Sequence, residues 1–209
     1  MYTEASIPSL RKLCAGMKVN KAQAQENRAH IVETASTLFR ERGYDGVGVA
    51  DLMAAAGFTH GGFYKHFDSK ADLMAEAAAF GLKQTAAKTG GLSPVDYVKQ
   101  YLSREHRDSP GDGCTMAALS GDAARQPASV KATFSDGIEN LLSTLAENDA
   151  SLDPGARRAA RERRISVIAQ LAGALVLSRA CADDSPLADE ILDVCRSAIL
   201  SRMPAPKED

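Results

Sequence analysis

Residues 49–67 read V-A-D-L-M-A-A-A-G-F-T-H-G-G-F-Y-K-H-F. Val49, Leu52, Met53 and Ala56 recur at helical spacing, so this part predicts a helix of about two turns that Gly57 stops. A second short helix opens at Thr59, whose hydroxyl is placed to cap free amides, and it carries Phe63 and Phe67 on one face. Two short helices joined by a tight turn at Gly57 make a helix-turn-helix, whose second helix can enter the major groove of DNA.

Upstream, Ile31, Ala35, Leu38 and Phe39 mark an amphipathic helix over residues 25–43 that Gly43 ends. Six of the eleven Phe and Tyr residues (Phe39, Tyr44, Phe58, Phe63, Tyr64, Phe67) fall in residues 39–67. Short helices bury little area each, so bulky rings must supply the core of this unit. Downstream, Ser69 with Asp72 caps a helix reaching about residue 88, and Gly90-Gly91 ends it. Ser93-Pro94, with Asp96 in the first turn, starts another. A loop over 103–113 then leads to helices over 114–125, from Pro127 (Val130, Phe134, Ile138, Leu141, Leu145), over 154–182 and over 186–202. No strand pattern or repeat emerges, and 36 Ala against 17 Val and Ile together favour helix over sheet. The expected fold is all-α: a flexible arm over 1–22, a three-helix DNA-binding domain over 23–69, and a helical effector-binding and dimerisation domain over 70–209.

The net charge of −2 shows that the whole molecule is not a polycation, but a basic footprint need only be local. Residues 18–70 carry seven Lys and Arg against six Asp and Glu, with three of the four His, while residues 71–209 carry sixteen against twenty. No stretch approaches the roughly 18 consecutive apolar residues of a spanning helix, so no membrane partner is expected. Cys14, Cys114, Cys181 and Cys195 lie far apart with no zinc spacing, as suits reduced thiols and no metal. Residues 1–16 lack a signal-peptide pattern, which points to the cytoplasm, and Met17 is an alternative start to Met1. Paired carboxylates with a base, an H-E-x-x-H and a phosphate loop are all missing, and His106 lies in a Ser-, Asp- and Gly-rich stretch. Neither an enzyme nor a cofactor is expected.

The stretch A-A-A-G-F-T-H-G-G-F-Y-K-H-F-D-S-K-A-D-L closely resembles the tetracycline-repressor-like (TetR) family of transcriptional regulators. Its pattern is met at fixed spacing by Ala56, Gly57, Thr59, Gly61, Tyr64, His66, Phe67, Lys70 and Leu73. The resemblance implies that Thr59 and nearby amides hold a phosphate, that Gly61 allows close approach, that Tyr64 and His66 each donate towards DNA, and that Lys70 neutralises a phosphate. His60, Gly62 and Lys65 occupy the variable, base-reading places. Two departures stand out. Val47-Gly48 replaces the hydroxyl residue often found before the second helix, leaving Gly48 to cap through backbone freedom alone. Gly62 replaces a small polar residue, so specificity leans on His60, Lys65 and DNA shape.

Beyond residue 88 the resemblance is looser, carried by residues 113–127 and 169–180. By that resemblance the chain is a homodimeric, ligand-responsive regulator, usually a repressor, that binds double-stranded DNA at a palindromic operator and is released by a small organic effector. Leu171, Ala172, Leu175 and Val176, with Leu187 and Ile191, give an apolar face for a second copy, since a two-fold DNA site demands a two-fold protein. Candidates for the effector pocket are Phe80, Tyr97, Tyr101, Met116, Phe134 and Ile138, an apolar set with two hydroxyls. Cys114 offers an alternative switch: after Asp112-Gly113 it stands near a helix N-terminus, where a thiol is disposed to react with electrophiles or oxidants. The basic cluster Arg157, Arg158, Arg161, Arg163 and Arg164 reads as a solvated helix face.

Overall fold

The structure is a computed structural model and describes residues 21–89, 91–146, 149 and 151–203. Cys14, both candidate start residues and all but Lys21 and Ala22 of the expected arm lie outside the described residues. Three glycines with φ of 73°, 79° and 94° (Gly43, Gly57 and Gly91) each follow a helix, in left-handed backbone that costs only glycine little.

The elements are α1 (Lys21–Arg42), α2 (Val49–Ala55), a 3₁₀ helix (His60–Lys65), α3 (Lys70–Thr89), α4 (Pro94–Tyr101), α5 (Arg104–Asp108), a 3₁₀ turn (Pro110–Asp112), α6 (Thr115–Ala123), α7 (Ala128–Thr144), α8 (Pro154–Ala180) and α9 (Pro186–Leu200). No strand occurs among the described residues, as expected. Side-chain caps set several starts. Ser69 Oγ accepts from the Asp72 amide at 3.1 Å, Ser93 Oγ from Asp96 at 3.1 Å, and Asp153 from Gly155 and Ala156 at 2.9 and 3.0 Å.

Two expectations need correction. The stretch 103–113 is not a loop: Ser103 caps α5 through the His106 amide at 3.1 Å, and a 3₁₀ turn follows. Arg-Glu-His-Arg-Asp carries no apolar period, so nothing in its pattern announces a helix. The second element of the helix-turn-helix is 3₁₀ rather than α, and Thr59 makes no side-chain cap bond. Consecutive Gly61 and Gly62 weaken α-helix propagation, which favours a short 3₁₀ segment.

Two apolar cores result. The first gathers Ile31, Ala35, Phe39, Tyr44, Leu52, Met53, Phe63 and Phe67 around the helix-turn-helix, and takes in Leu73, Met74, Ala77 and Ala78 of α3, Leu119 and Ala123 of α6, and Val130 and Phe134 of α7. The second joins Val98, Tyr101, Leu102, Cys114, Met116, Leu171, Leu175, Leu192 and Ile199. The expected boundary at residue 69 therefore falls just before a helix whose first half belongs to the DNA-side core.

Where α1, α3 and α6 cross, Arg40 is buried and donates through Nε to the Gly111 carbonyl at 2.8 Å and through Nη1 to Ser36 Oγ at 2.7 Å. At the other end of α6, Asp122 accepts from the Tyr44 amide at 3.0 Å. The end of α1 and Tyr44 just beyond it are thus tied to the 3₁₀ turn before α6 and to the last turn of α6. No helix among the described residues is long and apolar enough to cross a membrane.

Candidate nucleic-acid interface and effector cavity

Gly57 makes the turn. Its amide bonds the Ala54 carbonyl, and the Phe58 amide bonds Met53 at 2.8 Å, which sends the chain into the 3₁₀ helix. Phe63 and Phe67 are then buried, while Tyr64 between them is 68% exposed, its ring edge-on to Phe63 at 5.2 Å. His60, Gly61 and Lys65 are exposed beside it, and the His60 and Tyr64 rings stand 6.5 Å apart. A Cβ on Gly61 would meet nothing within 4 Å, so that glycine leaves a bare, open backbone. Gly48 is exposed at the start of α2 and donates its amide to Asp51 Oδ2 at 3.3 Å, so a carboxylate, not a hydroxyl, caps that helix.

Four expected DNA contacts sit differently. His66 is half-buried, with its ring beside Phe58 and Phe67. Lys70 is half-buried and donates to the Tyr44 carbonyl at 2.5 Å, bracing the helix-turn-helix from behind. A Cβ on Gly62 would point at Met53 Cε, 3.5 Å away, and so towards α2. Thr59 offers its hydroxyl without capping anything.

Two cavities meet in the second half of the chain. One, about 420 Å³, lies among α3, α4, α6 and α7 and is lined by Leu82, Lys83, Tyr97, Cys114, Met116, Thr133, Asp136, Gly137, Asn140 and Leu141, among others. The other, about 300 Å³, is walled by Tyr97, Gln100, Tyr101, His106, Asp112, Gly113 and Cys114. Thr85, Tyr97 and Cys114 border both. Tyr97, Tyr101 and Met116 of the expected pocket set are therefore lining residues. Phe80 and Phe134 instead pack with the first core, and Ile138 is 36% exposed. The cavity face of α7 runs Thr133, Gly137, Asn140, Leu141 and Thr144, a helical stripe of mostly small and polar residues that a search for apolar side chains passes over. Burial raises the pKa of both tyrosines, so their hydroxyls stay protonated donors.

His106 holds this wall together. Its Nδ1 donates to the Tyr101 carbonyl at 2.7 Å, and its Nε2 accepts from the Cys114 amide at 3.1 Å, a pairing only the neutral ring can make. Burial lowers its pKa. The unfolded chain binds a proton near pH 6.5 that the folded ring refuses, so this contribution to stability is present above that pH and lost as pH falls. Melting temperature is expected to drop between about pH 7.5 and about pH 5.5, and a His106→Gln variant should flatten that fall. Cys114, capping α6, is only 2% exposed, so its thiol is reached through the cavities and not from bulk solvent.

The expected second-copy face also needs revision. Leu171 and Leu175 are buried in the chain's own second core, Ala172 and Ile191 are half-buried, and Val176 and Leu187 are exposed. The outward stripe of α8 is Ile165, Ala169, Gly173, Val176 and Ala180, and that of α9 centres on Leu187 and Val194. Of the basic cluster, Arg158 and Arg161 are exposed and paired with Glu162 and Glu139, but Arg164 departs from a solvated face: it is half-buried, paired with Asp149 and donating to the Leu145 carbonyl at 3.3 Å.

An all-helical chain with a helix-turn-helix at one end and cavities in its body has the architecture of a helix-turn-helix regulator. Residues 31–77 match the bacterial regulatory proteins of the tetR family. The transcriptional repressor DhaR of a Mycobacterium species is 33% identical over 106 residues, 44% of this chain and 50% of that protein. An uncharacterized HTH-type transcriptional regulator of Mycobacterium tuberculosis is 27% identical over 194 residues, covering 86% of this chain and 97% of that one. The crystal structure of Escherichia coli NemR in its reduced form superposes with a TM-score of 0.66 at 18% identity, over 88% of this chain and 100% of that chain. The chain spans half the length or less of the first curated relatives it matches. Residues 31–77 are thus a DNA-binding domain of the tetR family of bacterial regulatory proteins, and the relatives that share it are named as transcriptional regulators.

Proposed function

We propose that the chain is a cytoplasmic, non-enzymatic transcriptional repressor that binds a palindromic operator as a homodimer and lets go when a small organic effector enters the cavities around Tyr97. The observation that carries the DNA reading is the tip of the helix-turn-helix. A domain that buries Phe39, Tyr44, Phe63 and Phe67 leaves Tyr64 68% exposed beside His60 and Lys65. These groups can meet phosphates and base edges in the major groove, and Gly61 presents backbone that nothing among the described residues covers.

The stripes on α8 and α9 are suited to a second copy, which would place two such tips on successive turns of DNA. The cavity walls suit an effector with an apolar body, facing Leu82, Met116 and Leu141, and polar ends that meet Tyr97, Thr133 and Asn140. An occupant that favours a conformer with the wrong tip separation weakens operator binding by its differential affinity for the two states.

The test is gel retardation of the duplex upstream of the chain's own gene. A specific, salt-sensitive complex is expected, and Tyr64→Ala should weaken it by roughly tenfold, the loss of one good contact to DNA. No specific complex, with or without candidate effectors, would overturn the reading.

A further inference from the structure

The 3₁₀ helix His60–Lys65 has few anchors of its own. It is six residues long, holds two adjacent glycines, lacks a side-chain cap, and buries only Phe63. What holds its far end comes from another element. Arg28 of α1 donates through Nε to the His66 carbonyl at 3.2 Å, and its two terminal nitrogens each bond one carboxylate oxygen of Glu76 on α3. The guanidinium also lies over the Phe67 ring, 4.7 Å from its centroid. A planar fork with three donor edges can serve a carbonyl and a carboxylate at once while stacking on a ring, which a lysine ammonium cannot.

We infer that Arg28 is a positioning residue for DNA reading: oriented by Glu76, it fixes the exit of the recognition helix by gripping the His66 carbonyl. It need not touch DNA. With Gly61 and Gly62 lowering the helix's own stiffness, the angle at which His60, Tyr64 and Lys65 are presented depends on this external grip. Glu76 lies about one to two turns along α3 from Ala79, Leu82 and Lys83, which line the 420 Å³ cavity, so the grip joins the recognition helix to α3 itself.

The inference rests on the DNA-binding reading, and the experiment separates the two. Full-length wild type, Arg28→Met and the reversed pair Arg28→Glu with Glu76→Arg are compared on the upstream duplex over a range of salt, alongside melting temperature. Arg28→Met is expected to weaken binding about tenfold or more, the effect of losing a charged hydrogen bond, with the salt dependence unchanged because no phosphate contact is lost. The reversed pair should remake the ion pair between α1 and α3 and recover melting temperature but not affinity, because a glutamate cannot donate to the His66 carbonyl. Should Arg28→Met fail to fold, Glu76→Gln is read the same way, with a smaller loss at unchanged salt slope.

A salt slope lower by about one would make Arg28 a phosphate contact and overturn the inference. So would unchanged affinity, or a reversed pair that regains affinity together with stability. A wild-type chain that binds no duplex defeats the DNA-binding reading and this one together; a wild type that binds no better than Arg28→Met defeats this one alone.

Discussion

A chain carrying Val176→Asp together with Val194→Asp is expected to run as a monomer and to bind operator DNA at least about a hundredfold more weakly than the parent. Both valines are exposed, at 46% and 59%, so neither substitution removes packing from the folded subunit. Each lies on an outward stripe, Val176 between Gly173 and Ala180 on α8 and Val194 seven residues from Leu187 on α9. In a two-fold dimer each substitution occurs twice, so four carboxylates would be buried where apolar surface had been, forfeiting about 1 kcal/mol of burial per half-exposed valine and adding the larger cost of desolvating charge. A subunit freed in this way holds one half-site without the high local concentration that delivers the second tip. Sedimentation equilibrium and gel retardation check both halves of the expectation. A variant that stays dimeric would place the interface elsewhere.

The second large effect concerns stability. A Cβ built on Gly81 would lie 2.4 Å from Thr115 Oγ1, 2.7 Å from Arg40 Nη1 and 2.8 Å from Ser36 Oγ. All three neighbours are buried, and Arg40 is already committed to Gly111 and Ser36, so the space cannot be vacated cheaply. Gly81→Val is therefore expected to destabilise the chain by about 3 kcal/mol or more, at the upper end of what overpacking costs. Thermal or denaturant unfolding measures it. Gly81 stands where α1, α3 and α6 cross, so both cores should be lost together and not in separate steps. Gly137, whose Cβ would lie 2.5 Å from Leu82 Cδ1, is the milder control because a leucine can rotate away.

The helix-turn-helix was the most legible part of the chain. Gly57 needs a positive φ that almost no other residue adopts cheaply, and Phe63 and Phe67 recur at a spacing that only burial on one face explains. Caps at Ser69 and Ser93 were equally plain, because a short polar side chain before a helix has one obvious use, although the same reading failed at Thr59, which caps nothing. What could not be read were choices among equivalent faces. Leu171 and Val176 look alike as apolar residues of α8, yet one is buried in the second core and the other is exposed to solvent, and only the packing partner decides. Phe134 and Gly137 lie close on α7, and the larger residue drew attention although the smaller one borders the cavity. Arg28 carried no signal at all. A lone arginine on a helix reads as a solvated charge until tertiary folding brings Glu76 and the His66 carbonyl to it from residues 48 and 38 positions away.

The sharing of α3 and α6 between two cores has a consequence for how such proteins can be recombined. The DNA-reading end is no detachable cassette: a chimaera joined at residue 69 would bring a reader with an open flank, its Leu52, Phe63 and Phe67 deprived of Leu73, Met74, Ala77 and Leu119. A transplant that keeps its specificity must carry α3 as far as Ala78 and find, in the recipient body, a helix able to stand in for α6. The seam along which this molecule could exchange parts with its kin therefore runs through the middle of a helix, and not through the loop before it.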